Sequence, residues 1–164
     1  LGYDLEGLVV TWRNPPPLEP TKAKQGKKIT PEDLAKSGTE DGNQMALFCK
    51  AAENVGKYPQ LKWLHAIPNG GDRNVIEAGK LVAAGTRSGV WDVFLPYPYD
   101  GMAGYHGLYI EMKKPNRRNH KNGGLSDEQL EFGQYAEQMG YYCAVCYTWE
   151  EAWEILVKYL ENKV

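Results

Sequence analysis

The stretch Leu108-Tyr109-Ile110-Glu111-Met112-Lys113 places an acid and a base two positions apart in an alternating pattern. In an extended strand Leu108, Ile110 and Met112 fall on one face, and Tyr109, Glu111 and Lys113 on the other. Glu111 and Lys113 then point the same way, about 7 Å apart along the backbone. Alone, such a pair reads most simply as part of a solvated sheet surface. Asp92 changes that reading. It sits within Val90-Trp91-Asp92-Val93-Phe94-Leu95, where every neighbour is apolar. A carboxylate in a buried strand is costly unless it is paired or binds a metal. This strand directly precedes the Glu111 strand, and consecutive strands usually pair. Antiparallel pairing brings Asp92 beside Glu111. Two carboxylates that close force one to keep a proton, unless a cation sits between them. Mg²⁺ suits such a place, because it takes hard oxygen ligands from one or two carboxylates plus phosphate and water. Lys113 would then lie beside the metal, where it can orient or help deprotonate a water and offset phosphate charge. That chemistry fits hydrolysis of a phosphodiester.

The elements that must carry these residues are marked by caps and stops. Residues 1–28 read as an arm: a short strand over 7–12, halted by Pro15, Pro16 and Pro17, then a lysine-rich loop. Thr30-Pro31-Glu32-Asp33 opens a short helix that ends at Gly38. Thr39 caps a longer helix over 40–54, with Met45, Leu47, Phe48, Ala51 and Ala52 as its apolar face. Residues 63–67 form a strand, and Pro68-Asn69-Gly70-Gly71 a tight loop. Asp72 caps a helix over 73–84. Strands over 90–95 and 107–113 follow. Ser126 and Gln129 form a capping box that opens a helix over 125–139, closed by Gly140. Residues 141–147 make the last strand. Thr148 and Glu151 form a second capping box, opening a helix to about residue 161 with Trp149, Trp153, Leu156 and Leu160 on one face. The order predicts an α/β layered domain with a mixed sheet of about four strands.

These words in this order resemble the PD-(D/E)XK nuclease superfamily, and within it the VRR-NUC branch, notably small stand-alone viral and phage members. The matching words are Glu40-x-x-x-Gln44, residues 67–73 (Ile-Pro-Asn-Gly-Gly-Asp-Arg), residues 89–96 around Asp92, residues 107–113 around Glu111 and Lys113, Leu125-Ser126-x-x-Gln129, and Gly140-Tyr141. The resemblance spans about residues 39–147. It implies a restriction-endonuclease-like core in residues 39–164, with residues 1–38 as an N-terminal arm outside the match. It also implies a DNA endonuclease that depends on Mg²⁺ or Mn²⁺. By the resemblance, Asp92 and Glu111 bind the metal with the Met112 carbonyl, and Lys113 is the catalytic lysine. Glu40 reaches the site from the first long helix, toward the metal or its water. Gln129 sits at the rim. Trp91 stands where the family usually has Pro, and Val82 where relatives often carry a base.

Several residues are candidates for contact with DNA. Arg73 at a helix start opposes the helix dipole, which favours a phosphate partner. Asn69 lies in the loop just before it. Lys114, Arg117 and Arg118 leave the active strand directly, where backbone contact is expected. Gln129 completes this set. Stand-alone relatives resemble Holliday-junction resolvases that act as homodimers, so branched or flapped DNA is the expected substrate. The alternatives are a restriction-type or toxin nuclease acting on plain duplex, or a non-catalytic DNA-binding module on the same fold. The presence of both acids and the lysine counts against the last.

Charge distribution is uneven. Residues 125–164 hold 8 acidic and 2 basic residues, whereas Lys113, Lys114, Arg117, Arg118 and Lys121 form a run free of acids. The net charge of −2 argues against general attraction to nucleic acid, so any contact is local. No window is long and apolar enough for a membrane-spanning helix, and residues 1–13 lack the basic flank of a secretion signal. Three cysteines form no disulfide framework, which favours a reducing, cytoplasmic setting. Cys143 and Cys146 lie in a strand and read as small core residues. The three scattered histidines offer no zinc spacing.

Overall fold

A computed structural model describes residues 29–68, 75–99 and 104–164. Within them lie α1 (Pro31–Ala35), α2 (Glu40–Asn54), β1 (His65–Ala66), α3 (Val75–Ala83), β2 (Val93–Leu95), β3 (Leu108–Met112), α4 (Asp127–Gln138), β4 (Tyr142–Cys146) and α5 (Trp149–Leu160). The four strands form one sheet in the order β1-β2-β3-β4. The first two pairings are antiparallel, and β3 runs parallel to β4 with α4 as the crossover. This is the expected mixed four-stranded sheet flanked by helices. Among the described residues no helix is long and apolar enough to cross a membrane.

Alternation along β2 and β3 divides the sheet into two faces. Val93, Leu95, Leu108, Ile110 and Met112 turn to one side, where Leu47 and Ala51 of α2 and Leu156 and Tyr159 of α5 complete a buried core. The other side carries Phe94, Tyr109 and Glu111 and faces α4, whose Phe132 ring meets Tyr109 edge-on at 5.2 Å. Cys146 is buried in the core and Cys143 half-buried, and burial pushes both thiols up to about 12, so they stay protonated.

Caps hold the helix starts. Thr30 and Asp33 bond each other's main chains at α1, and Ser126 and Gln129 do the same at α4. The box expected at α5 is only half formed. Thr148 accepts from the Glu151 N–H, but the Glu151 carboxylate turns away to accept from the Tyr147 N–H at 3.0 Å.

Three expectations change. The first strand shrinks to two residues because Pro59–Trp63 winds into a 3₁₀ turn that buries Leu61 and leaves Trp63 outside. The second begins at Val93: the Asp92 N–H turns to the Glu111 side chain, although the Asp92 carbonyl still accepts from the Ile67 N–H at 2.7 Å. On α2, Met45 is 52% exposed and Ala52 is also exposed. The buried face includes Gly42 and Asn43 instead, and the Asn43 amide oxygen accepts from the Trp149 N–H at 3.0 Å, tying α2 to α5. A groove of about 350 Å³ runs beside β4, with Glu154, Ile155 and Lys158 of α5 along it.

Candidate active site

The antiparallel register of β2 and β3 sets Val93 opposite Ile110. One step further, Asp92 meets Glu111. The Asp92 N–H donates to Glu111 Oε2 at 3.3 Å, and Asp92 Oδ2 accepts from the Met112 N–H at 3.0 Å. Each acid therefore binds the other strand's main chain, in place of a ladder bond. Lys113, two residues past Glu111, returns to the same face, and its Nζ lies 2.7 Å from Glu111 Oε1. Neither is on a solvated surface: Glu111 is 0% and Lys113 8% exposed.

Gln129 closes the group from α4. Its Oε1 accepts from the Ser126 N–H at 3.0 Å, and its Nε2 donates to Glu111 Oε1. It thus serves the helix cap and the site together, and lies half-buried within the site where a place at the rim was expected. The position of α4 depends on close contacts near Asp92. A Cβ on Gly133 would stand 2.6 Å from the Trp91 ring, and one on Gly89 2.7 Å from the Glu128 backbone. The Trp91 indole N–H donates to the Gln129 carbonyl at 2.8 Å. Sequence reasoning noticed Trp91 only as a departure from the family pattern. In the structure it is buried and fixes the helix that carries Gln129.

Burial pushes the Glu111 carboxyl up to about 7, helped by the charge of Asp92 and opposed by Lys113. Burial also raises Asp92, against the Met112 N–H and the charge of Lys113, which favour its ionised form. Two hard-oxygen carboxylates pressed together in this way suit Mg²⁺ or Mn²⁺ better than Zn²⁺, which prefers nitrogen and sulfur ligands.

The other expected residues divide. Glu40, in the first turn of α2, accepts from the Lys114 N–H at 3.1 Å, one residue beyond Lys113. Among the described residues no three Asp, Glu, His or Cys side chains converge as a metal-holding group. The paired carboxylates are therefore Asp92 and Glu111, with Glu40 beside them on the main chain. The Met112 side chain lies in the core. Lys114 and Arg117 are exposed where the chain leaves β3, and Arg117 Nη1 lies 3.4 Å from His120 Nδ1. Arg118 turns to Glu151 and the Tyr147 ring. Val82 is exposed on α3. Asn69 and Arg73 lie outside the described residues.

No family model and no curated protein matches the chain. Among solved structures, a "VRR_NUC domain protein" matches with a TM-score of 0.56 at 23% identity, covering 76% of this chain and 89% of the other. The two share a fold. The mixed sheet that brings Asp92 to Glu111 is thus the fold of a VRR_NUC domain protein.

Proposed function

We propose that the chain is a Mg²⁺- or Mn²⁺-dependent DNA endonuclease that hydrolyses phosphodiester bonds. The observation that carries this reading is the locked pair of Asp92 and Glu111 across β2 and β3, with Lys113 on Glu111 at 2.7 Å. Asp92 and Glu111 would hold the cation, joined by the Met112 carbonyl, with Glu40 toward the metal or its water. The bound cation supplies a Lewis acid that polarises a phosphoryl oxygen and lowers the pKa of water.

Lys113 brings a cation to a nearly dry site, where it counters charge gathering on a phosphate and orients the attacking water. Its bond to Glu111 fixes Nζ. The Gln129 bond to Glu111 fixes the carboxylate in turn. Lys114 and Arg117 stand beside the site for the DNA backbone, and Asn69 and Arg73 complete the expected contacts. The resemblance to resolvases favours branched or flapped DNA and a homodimer.

The test offers labelled four-way junction, flap, single-stranded and linear duplex DNA with Mg²⁺, Mn²⁺ or EDTA. Cleavage should require the metal and should vanish in Lys113→Ala. Symmetric nicks near the junction would support the branched substrate and the dimer. Equal cutting of plain duplex would keep the site and remove that preference. Cleavage untouched by Asp92→Ala or Lys113→Ala would overturn the proposal. Tight binding with no cleavage of any substrate would favour the non-catalytic module.

A further inference from the structure

The connection from β3 to α4 starts at Lys113 and ends at the Ser126 cap, just ahead of Gln129. Lys113 and Gln129 both bind Glu111, so the shape of this connection bears on the site from both ends. Two residues outside it hold its middle. Tyr147, buried just past β4, donates its hydroxyl to the Gly123 carbonyl at 3.0 Å. The Arg118 guanidinium lies 4.2 Å from the centre of the Tyr147 ring and is ion-paired with Glu151 Oε1. Glu151 Oε2 accepts from the Tyr147 N–H at 3.0 Å. Tyr147 and Glu151 therefore grip the connection at two points, at Gly123 and Arg118, and the carboxylate also holds the Tyr147 main chain. A guanidinium stacked on an aromatic face and paired with a carboxylate is held by its planar shape as well as its charge.

We infer that Tyr147 and Glu151 are positioning residues that hold the 113–126 connection in the shape that brings Lys113 and Gln129 to Glu111. Arg118 serves this clamp and not the DNA backbone. The kinetic consequence rests on the nuclease reading, whereas the clamp itself does not.

Glu151→Gln separates the two roles of Arg118, because they predict opposite results. Glutamine keeps an oxygen for the Tyr147 N–H and removes the charge. If Glu151 merely restrained a phosphate-binding arginine, its loss would tighten DNA binding and steepen the salt dependence by about one phosphate contact. If Arg118 belongs to the clamp, kcat falls about tenfold, on the scale of a misplaced catalytic group, and the salt slope stays unchanged. Amide hydrogen exchange then rises in residues 114–124, while β3 and β4 remain protected. Tyr147→Phe loses only the hydroxyl bond to Gly123 and should move the same readouts by a smaller factor. Arg118→Lys keeps the charge but loses the planar fit, so it should behave as Glu151→Gln does. Tighter binding with a steeper slope, or unchanged exchange in Glu151→Gln, overturns the inference. Were the wild-type chain to cut no DNA, the nuclease reading would fall and the exchange measurement would still decide the clamp.

Discussion

The two faces of the sheet are built from the same strands and each holds side chains wholly shut off from water, yet their burial has opposite consequences. On one face Val93, Leu95, Ile110 and Met112 are each 0% exposed and wholly apolar, so removing them from water stabilises the fold. On the other face Glu111 is also 0% exposed, beside a Phe94–Tyr109 ring stack at 4.4 Å. There burial works against the ionised carboxylate and raises its pKa. Alternate residues of β3 thus separate stability from chemistry, and substitutions one position apart should have different effects.

The largest effect is expected on the chemical face. Lys113→Ala should lower single-turnover cleavage by about 10³- to 10⁴-fold, about 4–5 kcal/mol of barrier, with thermal stability little changed at pH 6, where Glu111 keeps its proton and is not left as an unpaired buried charge. A large fall in melting temperature would show that the two faces are not separable. Next, Ile110→Ala on the core face should cost about 3–4 kcal/mol of stability by opening a cavity. Urea denaturation would measure it. The molecules that remain folded should cleave at a near-normal rate; a loss matching that of Lys113→Ala would contradict the division.

A smaller effect follows from Glu111 itself. The folded chain holds its proton up to about pH 7, whereas an unfolded one releases it near 4.5. Stability from this group is complete below pH 4.5 and is lost as pH rises through 7, by up to about 3 kcal/mol. In EDTA, denaturation midpoints should therefore fall between pH 5 and 8 more steeply for wild type than for Glu111→Gln. Adding Mg²⁺ at pH 8 should recover part of the loss, by binding the ionised pair. Parallel pH profiles for the two proteins would remove Glu111 as the cause. The smallest change is Trp91→Phe, which deletes the indole bond to the Gln129 carbonyl and removes the distal indole carbons that lie over Gly133. It should cost about 2 kcal/mol, from the lost bond and the space left over Gly133, and slow cleavage severalfold, as read by denaturation and single-turnover assays. An unaltered rate would show that Gln129 stays in place without it.

Much of the site was legible because its determinants are local or follow from neighbouring strands. An acid in an apolar strand, followed by a strand with Glu111 and Lys113, needed only antiparallel pairing to become a carboxylate pair. The Ser126–Gln129 box was legible because both partners lie within one turn. The same reasoning failed at Thr148, where Glu151 is drawn away by Arg118 and Tyr147. Arg118 looked like a free base because nothing near it in sequence reveals an acid on α5. Asn43 was passed over on α2 because a polar residue reads as exposed until its distant partner, the Trp149 N–H, is known. Gln129 was legible as a cap, while its second bond to Glu111 depends on how closely Gly133 lets α4 approach Trp91.

The groove beside β4 has a consequence for how copies of this chain behave when crowded. Among the described residues the sheet ends in two unequal edges. β1 offers only two residues, too few to guide another strand. β4 offers Tyr-Cys-Ala-Val-Cys, five uncharged residues of good strand-forming character, most of them half-buried. Such a segment is a template for edge-to-edge stacking. The Glu154–Lys158 pair, 2.7 Å apart on the flanking helix, sets both signs of charge beside it. Charges in that position oppose the approach of a second edge, so replacing both with apolar side chains is expected to turn that edge into a place where molecules adhere.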